Sequence, residues 1–131
     1  MEDSIFTKII NGEIPSYTIY EDDKVIAFLD VHPLKPGHTL VIPKVQIDHL
    51  WDLDDDTYSY VWEVSRKLAS HIHSVLQPKR VGSIVEGFGV PHAHIHLIPI
   101  NNGHDLKELQ DTNSDIDHTA LAKMAEILRF S

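Results

Sequence analysis

Three histidines alternate with apolar residues in His92-Ala93-His94-Ile95-His96-Leu97-Ile98. In an extended strand alternate side chains share a face, so His92, His94 and His96 project one way, and Ala93, Ile95 and Leu97 project into a core. A row of imidazoles is poorly suited to burial, because each ring needs polar partners. One surface histidine would need no explanation; three at a period of two do. Imidazole is a nucleophile and proton carrier near neutral pH, with an ordinary pKa of about 6.5. One histidine can attack phosphorus while its neighbours hydrogen-bond the phosphate and handle the leaving group's proton. The same row can instead ligate zinc, with water in an open position. The spacing alone does not choose between these chemistries.

The elements that must position this row can be read from the pattern around it. Ser4–Ile10 reads as a short helix capped by Ser4, with Ile5, Phe6, Ile9 and Ile10 on an apolar side and Gly12 and Pro15 closing it. Tyr17–Glu21 and Lys24–Asp30 read as a hairpin around Asp22-Asp23. The run 31–37, with two prolines and a glycine, must be a loop, and His38–Ile42 follows as a strand. On that strand His38, Leu40 and Ile42 share one face, so His38 can meet the row. Val61, Val64, Leu68, Ile72 and Val75 lie on one face of a long helix, favoured at its start by Asp54, Asp55 and Asp56 and stopped by Pro78. Two more strands, Arg80–Glu86 and His94–Ile100, flank a glycine-containing turn, and Leu121, Met124, Ala125 and Leu128 suggest a last helix. Short connections between paired strands predict an α+β fold with an antiparallel five-stranded sheet and helices packed on it.

Composition narrows the function. The 131 residues are the size of one domain, read as 1–131 with 101–131 a variable C-terminal extension ending in a helix. No run of about 18 apolar residues exists, and the N-terminus lacks a secretion-signal pattern, so the expectation is a cytoplasmic protein without a membrane partner. There is no cysteine, which excludes disulfides, thiolate metal sites and cysteine nucleophiles. With 11 Lys and Arg against 20 Asp and Glu, a formal charge of −9 argues against nucleic acid as a partner. A small phosphorylated ligand remains open, since backbone amides and Gly87 and Gly89 ahead of the row can approach phosphate oxygens.

The row His92–Ile98 resembles the histidine-triad (HIT) signature, His-φ-His-φ-His-φ-φ with φ apolar. The resemblance extends to Phe6-Thr7-Lys8-Ile9-Ile10-Asn11-Gly12-Glu13-Ile14-Pro15, to Ala27-Phe28-Leu29-Asp30 and to Pro36–Lys44, in order and with family-like spacing from about residue 4 to 100. It implies a HIT-like fold that binds a purine nucleotide or nucleotide conjugate, commonly as a homodimer. His94 corresponds to the nucleophile that forms a transient nucleotidyl-histidine on the α-phosphorus. His96 and His38 are similar to the histidines facing the phosphate, and His92 to the one that orients His94. Asp30 resembles the carboxylate that accepts the ribose hydroxyls. Phe6, Ile9, Phe28, Val31 and Leu40 resemble the wall around the base, and Gly89 lies where backbone approaches the phosphate.

The implied activity is hydrolysis or transfer at the α-phosphate of nucleoside phosphoramidates or dinucleoside polyphosphates, with no cofactor and no catalytic metal. A nucleotide-sensing binding module with little turnover is the alternative, and a metal enzyme built on these histidines comes third. Many bacterial relatives begin a structural zinc site with a Cys-x-x-Cys pair; here those positions are Ser4 and Thr7, and an expected histidine is Gln46, so that site is expected to be absent. The connection 85–91 is short, which leaves one phosphate or ribose contact missing. His71 and His73 suit a helix C-terminus, while His32, His49, His104 and His118 read as surface residues. Asp52 and Asp54–Asp56 read as helix-start chemistry rather than a calcium loop.

Overall fold

The protein is described by a computed structural model covering residues 2–130. Its elements run α1 (Ile5–Ile10), β1 (Thr18–Glu21), β2 (Val25–Leu29), β3 (Thr39–Pro43), α2 (Asp55–Leu76), β4 (Arg80–Ile84), β5 (Ile95–Ile100) and α3 (His118–Leu128). Short 3-10 turns at Leu50–Asp52 and Gly103–Lys107 complete it. The five strands form one antiparallel sheet in the order β1-β2-β3-β5-β4, as the alternation and short connections predict. Bringing β5 beside β3 places the triad next to the strand that follows His38, with Leu40 opposite His96.

The sheet separates two apolar layers because its strands alternate. Val25, Ala27 and Leu29 of β2, Val41 of β3, and Ile95 and Leu97 of β5 face a large core. There they meet Val61, Val64, Leu68 and Ile72 of α2 and Leu121, Ala125 and Leu128 of α3. Each buried Val, Leu or Ile here contributes roughly 1.5–3 kcal/mol, so this face dominates stability. Ile26, Phe28, Leu40 and Ile42 point the other way and close over Phe6 of α1 in a smaller layer. α1 is only six residues long and is started by Ser4, whose Oγ accepts from Thr7 N at 3.0 Å.

Several details differ from the sequence expectation. Strand pairing begins at Ile95, after His94, and β4 ends at Ile84, before Val85 and Glu86. His38 precedes β3. Val75 is exposed, because the buried stripe of α2 continues from Ile72 to Leu76, four residues on, and turns Val75 outward. The segment after β5 is a 3-10 turn fastened by a reciprocal Asn102–Asp105 capping box. One glycine carries a packing demand. Gly37 has φ 94°, and a Cβ there would lie 2.6 Å from Leu76 Cδ1, so the turn that delivers His38 tolerates no side chain.

Candidate active site

The triad lies on the α1 side of the sheet and is buried, with His92, His94 and His96 at 0%, 5% and 6% exposure. The expected split is present: Ala93, Ile95 and Leu97 enter the large core, while the His94 ring stands edge-on to Phe6 at 5.0 Å. Burial demands partners, and each histidine has a different set.

His94 places Nδ1 at 2.7 Å from the backbone oxygen of His92. A carbonyl only accepts, so Nδ1 carries the proton and donates, leaving the Nε2 lone pair free. His96 is set by a longer relay. Leu34 N–H donates to His38 Nδ1 at 3.0 Å, so the neutral His38 ring keeps its proton on Nε2. That Nε2–H points at His96 Nδ1, 2.8 Å away, which must accept. His96 therefore carries its proton on Nε2, a buried atom without a partner among the described residues. An unmet buried donor costs about 1–3 kcal/mol and marks a place where a ligand acceptor would be welcome. Burial pushes His96 below the usual histidine range, assisted by neighbouring His94. Burial also pushes His38 down to about 4, against the upward pull of Asp30.

His92 sits behind His94. Its Nε2 donates to Pro43 O at 2.8 Å and its Nδ1 accepts from Ser4 Oγ at 2.7 Å. Ser4 N and Thr7 Oγ1 both donate to Gln46 Oε1, at 2.8 and 2.6 Å. Ser4, Thr7, Gln46 and His92 thus close a polar cluster joining α1 to the triad. Hydroxyl and amide oxygens with one imidazole are a poor donor set for zinc, and they already satisfy each other. The structural zinc of the family does not fit these residues.

A cavity of about 610 Å³ opens in front of His94 and His96. Phe6, Ile9, Phe28, Leu40, Val31, Asp30 and Gly89 all line it, so the residues named for nucleotide binding come together. His38 and His92 do not line it; they stand behind the two histidines that do. Asp30 Oδ1 accepts from His32 N at 2.9 Å, and Oδ2 accepts from Gln110 Nε2 at 2.9 Å. Gln110 also donates to His32 O, so the segment after β5 closes one wall.

The surface assignment holds for His49, His104 and His118 and fails for His32, which is half-buried. Both His32 and His118 line the cavity, because the segment 110–118 folds back against the 30–32 turn. Sequence reasoning also missed Glu86, whose carboxylate lies within 4.8 Å of ring nitrogens of both His94 and His96. Asp30, His38 and His96 cluster as closely. In the relay His38 Nε2 carries a proton, and the His96 Nδ1 lone pair beside it already accepts that proton's hydrogen bond.

The fold and site define a small α+β protein with paired imidazoles at the mouth of an apolar slot. The sequence profile described as the HIT domain matches residues 11–103. A HIT-like protein of Borreliella burgdorferi is 39% identical over 132 residues, covering 89% of this chain and 91% of the relative. The adenosine 5'-monophosphoramidase of Saccharomyces cerevisiae is 38% identical over 99 residues, covering 72% of this chain and 61% of that enzyme. A HIT-like protein of Bartonella henselae superposes with a TM-score of 0.85 at 35% identity, covering 97% and 94% of the two chains. A zinc-bound histidine-triad protein of Mycobacterium smegmatis gives 0.78 at 27%, covering 95% and 89%. The chain belongs to the HIT family.

Proposed function

We propose that this protein cleaves purine nucleotide conjugates at the α-phosphate through a nucleotidyl-histidine intermediate, transferring the nucleotidyl group to water or another acceptor. The observation that carries the reading is the opposite protonation of two neighbouring rings. His94 Nε2 is a free lone pair, and His96 Nε2–H is an unmet donor beside it. The base enters the slot lined by Phe6, Ile9, Phe28, Val31 and Leu40, and Asp30 takes the ribose hydroxyls. His94 Nε2 gives its electron pair to the α-phosphorus as the bond to the leaving group breaks, and the departing atom takes a proton. His96 Nε2–H donates to a non-bridging oxygen whose charge grows in the transition state. Water then attacks phosphorus and loses a proton, and the P–N bond breaks back to neutral His94. His92 O holds the ring throughout, so orientation is prepaid.

The test is AMP release from adenosine 5'-phosphoramidate with and without EDTA, beside His94→Ala. Release that survives EDTA and falls about 10⁴-fold in the variant is expected. AMP binding without release would make the protein a nucleotide-sensing module. Release abolished by EDTA and restored by zinc would replace the covalent histidine with a metal site.

A further inference from the structure

Two cavities meet at His94. The slot for the nucleoside is one; the other, about 390 Å³, lies between the turn before α2 and the loop before the triad. His94 and Glu86 line both, so the junction is where a reacting phosphorus would sit. Asp48 and Trp51 form one wall of the second cleft, and Glu86 and Phe88 the other. Trp51 is 69% exposed and Phe88 93% exposed, large rings left in water beside the reactive nitrogen. Among the described residues no Lys or Arg lines either cavity.

Those features bear on what can leave. A polyphosphate leaving group carries several negative charges and would meet Asp48 and Glu86, with His49 and His94 the basic side chains in the cleft and no permanently charged cation to offset the carboxylates. An amine leaving group carries no such charge. If it bears a second, distal ammonium, the two carboxylates attract it, and the faces of Trp51 and Phe88 add cation–π attraction. We propose that this cleft is the leaving-group subsite, selecting nucleoside phosphoramidates of cationic amines over dinucleoside polyphosphates, with Glu86 the residue that discriminates. The inference rests on the nucleotidyl-histidine reading above.

Three conjugates sharing one AMP half test it: the adenosine phosphoramidates of 1,4-diaminobutane and of butylamine, and diadenosine tetraphosphate. Wild type is expected to favour the diaminobutane conjugate over the butylamine one by about tenfold in kcat/KM, the product of a carboxylate and a cation–π preference of about threefold each. The preference should shrink in high salt. Glu86→Gln and Trp51→Ala, both at exposed positions, should each lower it about threefold, and Glu86→Gln should raise turnover of the tetraphosphate. Melting curves confirm that both variants fold. A wild-type ratio near one, with butylamine conjugate turned over and that turnover lost in His94→Ala, overturns the subsite alone. A ratio unchanged in both variants does the same. Failure to turn over any conjugate overturns the nucleotidyl-histidine reading and the subsite with it.

Discussion

His94 and His96 stand two residues apart with ring centroids 5.0 Å from each other, yet they are prepared for opposite tasks. At His94 the Nδ1 meets a carbonyl, and at His96 it meets another imidazole's N–H. The first contact leaves Nε2 with its lone pair, and the second leaves it with a proton to donate. Identical side chains therefore differ by what lies behind them, and the decisive atoms are a backbone oxygen and the amide of Leu34 in a loop.

Removing the donor breaks that contrast most severely after loss of His94 itself. His96→Ala is expected to lower kcat by about 10²–10³-fold, with the nucleotide KM moving much less, because the missing hydrogen bond strengthens in the transition state. Steady-state kinetics would show this; equal loss in KM and none in kcat would assign His96 to ground-state binding.

Cutting the relay one step back should be milder. His38→Gln releases His96 to choose its tautomer and is expected to cost about tenfold in kcat. The same relay predicts acid sensitivity. Burial holds His38 at about 4 against an ordinary 6.5, so the unfolded chain binds a proton that the folded chain refuses. Stability is therefore complete above about pH 6.5 and declines as pH falls toward 4. His92 and His96, also shifted down by burial, act in the same direction. His38 accounts for part of this acid loss. Thermal melts from pH 7.5 to 4 should drop, and His38→Gln should flatten the curve; parallel curves would show that carboxylates carry the effect instead.

Two further changes sharpen the contrast from outside the cavity. Ser4→Ala removes the helix cap and the donor to His92 and should cost about 1–2 kcal/mol of stability. Activity should change less than about threefold, because His94 hangs from the His92 backbone rather than its ring. Smallest is Gln110→Ala, which frees Asp30 Oδ2 for ribose and should tighten AMP by about threefold. Binding of 2'- and 3'-deoxy-AMP by calorimetry checks it: with both hydroxyls needed, neither analogue should gain as much.

The residues that alternate along strands were legible. Leu40 and Ile42 on one face, Val41 on the other, and the split of the triad from Ala93, Ile95 and Leu97 follow from a period of two. The α2 face was legible up to Ile72 and wrong at Val75, since a spacing of three or of four fits a helical stripe equally well and the core takes Leu76 instead. The site was legible where one element carries the motif and illegible where distant segments meet. Gln110 reaches Asp30 across 80 positions, and Ser4 reaches His92 across 88. Neither pairing leaves a local pattern. Glu86 was hidden for another reason: an acidic loop residue has no period, and only the fold sets it beside two imidazoles.

The hydroxyl-and-amide cluster at the root of α1 has a consequence for how the chain reaches its working state. Ser4, Thr7, Gln46 and His92 bond to one another, and the backbone oxygens of Glu2 and Pro43 take the amide N–H of Gln46 and the Nε2–H of His92. Among the described residues this junction is closed by protein groups alone, so the docking of the first helix is tied to the position of one histidine ring and one glutamine amide.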